Sequence, residues 1–281
     1  MKKTILFMLS AALLLGGCGK NNKDLANNPL LKEWNTPFGT PPFDKIQLKD
    51  YLPAFEEGMR VHNEEIDAII NNKEAANFEN TIVAYDLSGE LLAKVSGVFF
   101  NMTSCNTNEE LQKLEEKIGP MMAKHGDEIT MNTKLFARVK NVWDNKDKEK
   151  LNKEQQMLLD KTYKKFVRSG ALLNKENQEK LKAVNGELTT LESKFTSNLL
   201  KETKTYTLVV DKKEDLKGLP DWLVEQAATT AKEQKKEGKW IFTLDNPSVF
   251  PFLQYSENRA LREKIFKAKN NRCNNGGATD N

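Results

Sequence analysis

Residues 175–200 read KENQEKLKAVNGELTTLESKFTSNLL. Leu181, Val184, Leu188, Leu191, Phe195 and Leu199 follow one another in steps of three and four, which places them on one stripe of a 3.6-residue helix. The stretch predicts a long amphipathic helix from Lys175 to about Leu200. The same spacing suits a coiled-coil seam. The run is short for a sustained seam and sits among other helical segments, so packing within a helical domain is favoured.

On the amino-terminal side the helical pattern repeats. Five of the nine prolines fall between Pro29 and Pro53, which predicts an extended arm ahead of the first helix. Pro53 suits the first turn of that helix, and Phe55, Met59, Ile66, Ile69 and Ile70 recur at helical spacing. Asn77 is placed to cap a second helix running through Phe99 and Phe100, and Thr107 with Glu110 has capping-box spacing for a third. Trp143 ends the next segment, before the charged break from Asp144 to Lys150.

On the carboxyl-terminal side the composition shifts. Residues 205–210 (Thr205 to Val210) and 240–244 (Trp240 to Leu244) are β-branched and aromatic with period-two alternation, which predicts two strands. Between them Leu223, Ala227 and Ala231 share a helix face that closes at Lys235, Lys236 and Gly238. The link is long enough for a parallel crossover, and an antiparallel pair fits the pattern equally. A last helix from about Ser256 turns Leu261, Ile265 and Phe266 inward, and residues 274–281 read as a loop. The fold class is therefore mainly α, multi-helical, with a small two-stranded β element near residues 205–244.

The 281 residues hold 43 basic and 40 acidic side chains, interspersed, for a formal net charge of +3. That balance makes no long-range cationic field, and the lysine-rich stretches 146–153 and 232–239 lack interleaved aromatics, so no nucleic-acid partner is expected. Lys2 and Lys3 precede an apolar run from Ile5 to Leu15 that ends in Leu15-Gly16-Gly17-Cys18. The run is too short for a permanent membrane span. It reads as a signal peptide over residues 1–17, and the box resembles that of bacterial lipoproteins, in which the cysteine thiol is acylated. The expectation is lipidation at Cys18, a polar tether over 18–28, and a place in the cell envelope, on the periplasmic side or at the outer membrane. Two or three acyl chains would hold the chain firmly to the membrane without crossing it. Cys105 and Cys273 remain, in a compartment that permits a disulfide; two cysteines in a helical chain of this size are more often unpaired.

Candidates for chemistry are few. The two histidines, His62 and His125, have Glu65 and Glu128 three residues on, which suits an intrahelical polar contact rather than a metal pair. Ser88-Gly89 and Ser169-Gly170 lack the flanking pattern of a nucleophile elbow and read as helix ends or close-packing positions. No catalytic and no metal-binding residue is assigned.

A series of short landmarks runs through the chain in order: Pro29-Leu30-Leu31, Trp34, Thr36-Pro37-Phe38-Gly39, Pro41-Pro42-Phe43-Asp44 and Tyr51-Leu52-Pro53-Ala54-Phe55-Glu56. Gly58-Met59, Phe78-Glu79-Asn80-Thr81-Ile82, Phe99-Phe100-Asn101, Thr107-Asn108 and Phe166-Val167-Arg168 continue it. Asn198-Leu199-Leu200-Lys201-Glu202-Thr203, Gly238-Lys239-Trp240, Phe242-Thr243-Leu244, Pro247-Ser248 and Pro251-Phe252-Leu253 complete it. Together they resemble the amino-terminal portion of the peptidyl-dipeptidase (dipeptidyl carboxypeptidase) branch of the thimet-oligopeptidase-like zinc metallopeptidases. The resemblance implies an enzyme that clips dipeptides from the carboxyl ends of oligopeptides, with two helical halves facing each other across a channel.

In that family zinc is held by a helical H-E-x-x-H and a distant glutamate. This sequence has no such motif, so the resemblance implies zinc in the full-length enzyme and none bound here. Residues 29–281 are then the amino-terminal helical domain, one wall of the channel, with the catalytic domain absent and no activity expected alone. The alternative is a non-catalytic stand-alone lipoprotein that binds peptides or a partner protein; a purely structural helical protein is weaker still.

Overall fold

The structure, a computed structural model, describes residues 22–281. Cys18, the leader and most of the expected tether lie outside these residues. The described chain falls into two compact units that meet in sequence between Thr107 and Asn108.

The first unit begins with the short helix α1 (Asn22–Asn27) and the proline-rich arm, which contains 3₁₀ turns at Pro29–Leu31 and Pro37–Gly39. The arm is pinned where its polar groups find partners. Asn28 Nδ2 donates to the Asp50 carbonyl at 2.7 Å, Trp34 Nε1 donates to the Pro29 carbonyl at 3.0 Å, and Leu30 is fully buried. Lys94 Nζ lies 4.2 Å from the centre of the Trp34 ring, a cation–π contact.

Helix α2 (Leu48–Ile70) starts five residues before Pro53. A capping box between Gln47 and Asp50 sets this earlier start, so Pro53 lies inside the helix and removes the bond it would have given Lys49. The second expected helix is broken. Asn77 caps a π-helical stretch, Phe78–Val83, followed by the one-turn α3 (Ala84–Asp86), and only then by α4 (Glu90–Cys105). Gly89, at φ +78°, makes the break. Helices α2 and α4 pack against each other closely where a Cβ on Gly58 would lie 3.0 Å from Leu92 Cα. Tyr51, Phe55, Leu92, Val95 and Phe99 fill the core between them.

The second unit opens with α5 (Glu109–Thr130), α6 (Thr133–Asp144), α7 (Lys153–Arg168) and α8 (Lys175–Thr205). Asn108, not Thr107, caps α5, its side chain accepting from Leu111 N at 2.9 Å. Asparagine does the same at the starts of α6, α7 and α8, through Asn132, Asn152 and Asn174.

Beyond α8 come β1 (Thr207–Val210), α9 (Asp221–Glu233), β2 (Trp240–Thr243), α10 (Asn246–Tyr255) and α11 (Arg259–Asn270), the last capped by Asn258. The strands pair antiparallel, Thr207 with Thr243 through Val210 with Trp240. Leu208, Val210, Leu223, Phe242, Phe252 and Ile265 build one core beneath them. Thr205 belongs to α8, not to the strand. Phe266 was expected inward and is 54 % exposed, because Ile265 takes the buried side of α11.

Helix α8 is the largest departure from expectation. It packs on α5 through small and polar side chains. Asn185 Nδ2 donates to both Asp127 carboxylate oxygens at 2.9 and 3.1 Å, and Thr189 Cγ2 would lie 3.2 Å from a Cβ on Gly119. The apolar stripe expected to pack is turned outward. Val184, Leu188, Leu191 and Phe195 are 57 %, 51 %, 54 % and 52 % exposed.

Candidate functional site

The histidines go to different places. His62, on α2, has Nε2 3.2 Å from Ser88 Oγ, while Ser88 Oγ donates to the Tyr85 carbonyl at 2.7 Å. Glu65 Oε2 accepts the Gly89 N–H at 2.7 Å, and the absent Cβ of Gly89 leaves room for the His62 ring, 3.0 Å from where it would stand. Both side chains thus hold the helix break at Ser88-Gly89, the helix-end role the sequence suggested for that pair. Gly170 has a matching role at the end of α7, with φ +91°.

His125 is buried in α5. Burial pushes its imidazole below the ordinary range, with the Glu128 carboxylate pulling the other way.

These residues do not fit zinc. Among the described residues no three His, Cys, Asp or Glu side chains converge to hold a metal ion. Both Cys105, exposed at the end of α4, and Cys273, buried, are free thiols.

The best-developed polar cluster lies at the end of α8. Glu202 accepts the Cys273 N–H at 2.5 Å, Asn275 Nδ2 at 3.0 Å and Thr279 Oγ1 at 2.8 Å. Arg272 Nη1 donates to Thr203 Oγ1 at 2.7 Å, and Asn198 Nδ2 donates to Asn281 Oδ1 at 2.9 Å. Asp280 in turn accepts the N–H groups of Asn275 and Gly276, at 2.7 and 2.6 Å.

Hydrogen bonding, first from the Cys273 N–H and then from Asn275 and Thr279, holds the Glu202 carboxyl below its ordinary range. The Asn275 N–H leads the same effect on Asp280. A cleft of about 440 Å³ opens beside this cluster, lined by Glu202, Tyr206, Lys267, Asn271, Arg272 and Thr279 among others. A carboxylate so fully engaged is a structural anchor, not a free general base. The loop read at residues 274–281 is therefore clasped against the body, and the landmark Asn198 to Thr203 is the part of α8 that clasps it.

No protein-family model matches the chain. Individual proteins do. The dipeptidyl carboxypeptidase of Salmonella typhimurium (strain LT2) is 39 % identical over 256 residues, which is 91 % of this chain and 38 % of that protein. The dipeptidyl carboxypeptidase of Escherichia coli K12 is 39 % identical over 253 residues, 90 % of this chain and 37 % of the other.

Over nine tenths of its length the chain is thus homologous to part of these dipeptidyl carboxypeptidases. Oligopeptidase A of Escherichia coli K12 is a more distant relative, 26 % identical over 250 residues, covering 89 % of this chain and 36 % of that protein. The chain spans less than two fifths of the length of these relatives. The clasp at Glu202 is not legible in the sequence because the partners of that carboxylate lie some seventy residues further on, at 273, 275 and 279. No local spacing announces such a contact.

Proposed function

We propose that this chain forms the amino-terminal part of a zinc metallopeptidase that releases carboxyl-terminal dipeptides from oligopeptides, as one wall of the substrate channel. The observation that carries the reading is a 39 % identity that covers nine tenths of this chain and under two fifths of its dipeptidyl carboxypeptidase relatives. The donor set supports the division of labour: His62 and His125 serve helix packing, and Glu202 is committed to the tail. The chain's own contribution is then shape, and zinc is bound by a part of the enzyme that lies outside this chain.

Hydrolysis of a short amino-blocked peptide tests this, with added zinc and a chelator control. The purified chain is expected to release no dipeptide. Chelator-sensitive release would overturn the assignment of the chemistry elsewhere. The genomic sequence that follows the coding region separates the alternative: a continuing frame with H-E-x-x-H supports the peptidase part, and a clean stop without one supports a stand-alone binding lipoprotein.

Anchoring through Cys18 belongs to the same proposal. Among the described residues no helix is long and apolar enough to cross a membrane, and the proposed attachment is through acyl chains on Cys18. Replacing Cys18→Ser is expected to move the chain from the membrane fraction to the soluble fraction of cells; unchanged membrane partition would remove the lipid anchor from the proposal.

A further inference from the structure

The sequence holds two Asn-Gly pairs, Asn185-Gly186 and Asn275-Gly276. Such a pair carries chemistry of its own. Once the glycine nitrogen gives up its proton to solvent, it can attack the asparagine Cγ. A new C–N bond closes a five-membered imide, the Cγ–Nδ2 bond breaks, and ammonia leaves with a proton taken back from solvent. Water then opens the ring. Cleavage at Cγ gives aspartate and cleavage at the main-chain carbonyl gives isoaspartate, so one water enters for each ammonia lost. Glycine favours the attack because it has no Cβ to shield the nitrogen and reaches the backbone angles that closure needs.

The fold treats the two pairs differently. Asn185 and Gly186 lie inside α8, where the helical ladder fixes the backbone and Asp127 holds the Asn185 amide at 2.9 and 3.1 Å. Asn275-Gly276 lies beyond α11, with Gly276 at φ +72° and open space where its Cβ would be. No ladder holds this pair; two carboxylates do. Asp280 accepts the Gly276 N–H at 2.6 Å and the Asn275 N–H at 2.7 Å, while both Glu202 oxygens accept from Asn275 Nδ2 at 3.0 Å. Hydrogen bonding keeps both carboxyls below their ordinary range, so both are charged at neutral pH. A charged carboxylate on an N–H opposes loss of that proton, because the nitrogen anion would face a second negative charge. Such charge-assisted hydrogen bonds are also the stronger kind.

We propose that Asn275 is a site of spontaneous deamidation, through attack by the Gly276 nitrogen, and that the clasp of Glu202 and Asp280 both restrains this reaction and is undone by it. The undoing follows from the product. Deamidation replaces Nδ2, a donor, with an oxygen that shares a negative charge and can only accept. That oxygen would stand 3.0 Å from both Glu202 oxygens, like charge on like, with Asp280 as a third carboxylate on the same turn. Isoaspartate adds a second disturbance. It inserts one more carbon into the main chain between the two N–H groups that now share Asp280. The change therefore runs one way, and the segment from Cys273 to Asn281 is released from the end of α8. None of this depends on zinc, so it stands apart from peptide hydrolysis.

Peptide mapping by mass spectrometry tests it on the full chain, incubated at neutral pH either folded in buffer or unfolded in guanidinium chloride. Asn275 is expected to react more than about tenfold more slowly in the folded chain, a ratio set by how rarely the clasp opens. Asn185 is the internal control, expected to stay intact in the folded chain and to react like Asn275 once unfolded. Asp280→Ala frees the Gly276 N–H and is expected to remove most of the protection at Asn275, with Asn185 still intact and the circular dichroism spectrum unchanged. Asn275→Asp, followed by hydrogen exchange, is expected to lose protection by about tenfold or more at the Cys273 and Gly276 amides. Equal rates in the folded and unfolded chains, a wild-type rate in Asp280→Ala, or unchanged exchange in Asn275→Asp would each overturn the proposal. The first comparison uses the wild-type chain alone, so it decides the matter even if a variant misfolds.

Discussion

Replacing Gly218 with alanine is expected to destabilise the second unit by about 2–5 kcal/mol. Gly218 sits at φ +84°, and a Cβ there would lie 2.3 Å from the Tyr255 carbonyl oxygen and 2.9 Å from Glu257 Cγ. The left-handed backbone costs an alanine about 1–2 kcal/mol, and forcing an extra carbon into a packed site adds about 1–3. The obstacle is main chain, held where Glu257 N–H donates to the Lys217 carbonyl at 2.9 Å, so it cannot swing aside as a side chain would. Gly238 separates the two costs. It has nearly the same backbone, φ +82°, with nothing within 4 Å of its missing Cβ. Gly238→Ala is therefore expected to cost only about 1–2 kcal/mol. Urea unfolding of both variants reads the difference, and equal losses would mean that Lys217-Gly218 does not abut the end of α10.

The second large effect is expected in the first unit, from Phe99→Ala. Phe99 is fully buried between α2 and α4, and its ring meets Tyr51, Phe55 and Phe100 at centroid distances of 5.1, 5.4 and 5.2 Å, in edge-on arrangements. Truncating a buried phenylalanine costs about 3–5 kcal/mol through lost transfer energy and the cavity left behind. The edge-to-face contacts place this one toward the upper part of that range. Thermal unfolding followed by circular dichroism measures it. A loss below about 1 kcal/mol would show that the aromatic cluster is not the centre of that unit.

Much of this architecture is legible in the sequence, and the exceptions share a cause. Helical spacing marks α2, α8 and α9, and period-two alternation marks both strands, because those patterns are properties of the chain itself. Which face of a helix becomes the packed one is decided by its neighbour. Helix α5 offers Gly119 and Asp127, and it draws the row Asn185, Thr189 and Ser193 against itself, leaving the leucines outside. The sequence predicts no helix over residues 246–255, yet α10 forms there with Pro247 in its first turn, where a proline costs no hydrogen bond. Strand direction was open because both arrangements leave the same alternation. Of the candidate site, the absence of the zinc motif was readable, but the Glu202 clasp was not, since its partners are brought in by the fold of α11 and the tail.

The asparagines that open the helices set one more property of the molecule. Asn108, Asn132, Asn152, Asn174 and Asn258 each lend a side-chain oxygen to a first-turn N–H. Aspartate would do the same, but it can be protonated by acid and its attraction for the helix end is muted by salt. A neutral amide has neither weakness. The hydrogen bonds that open these helices thus carry no charge of their own for acid or salt to act on.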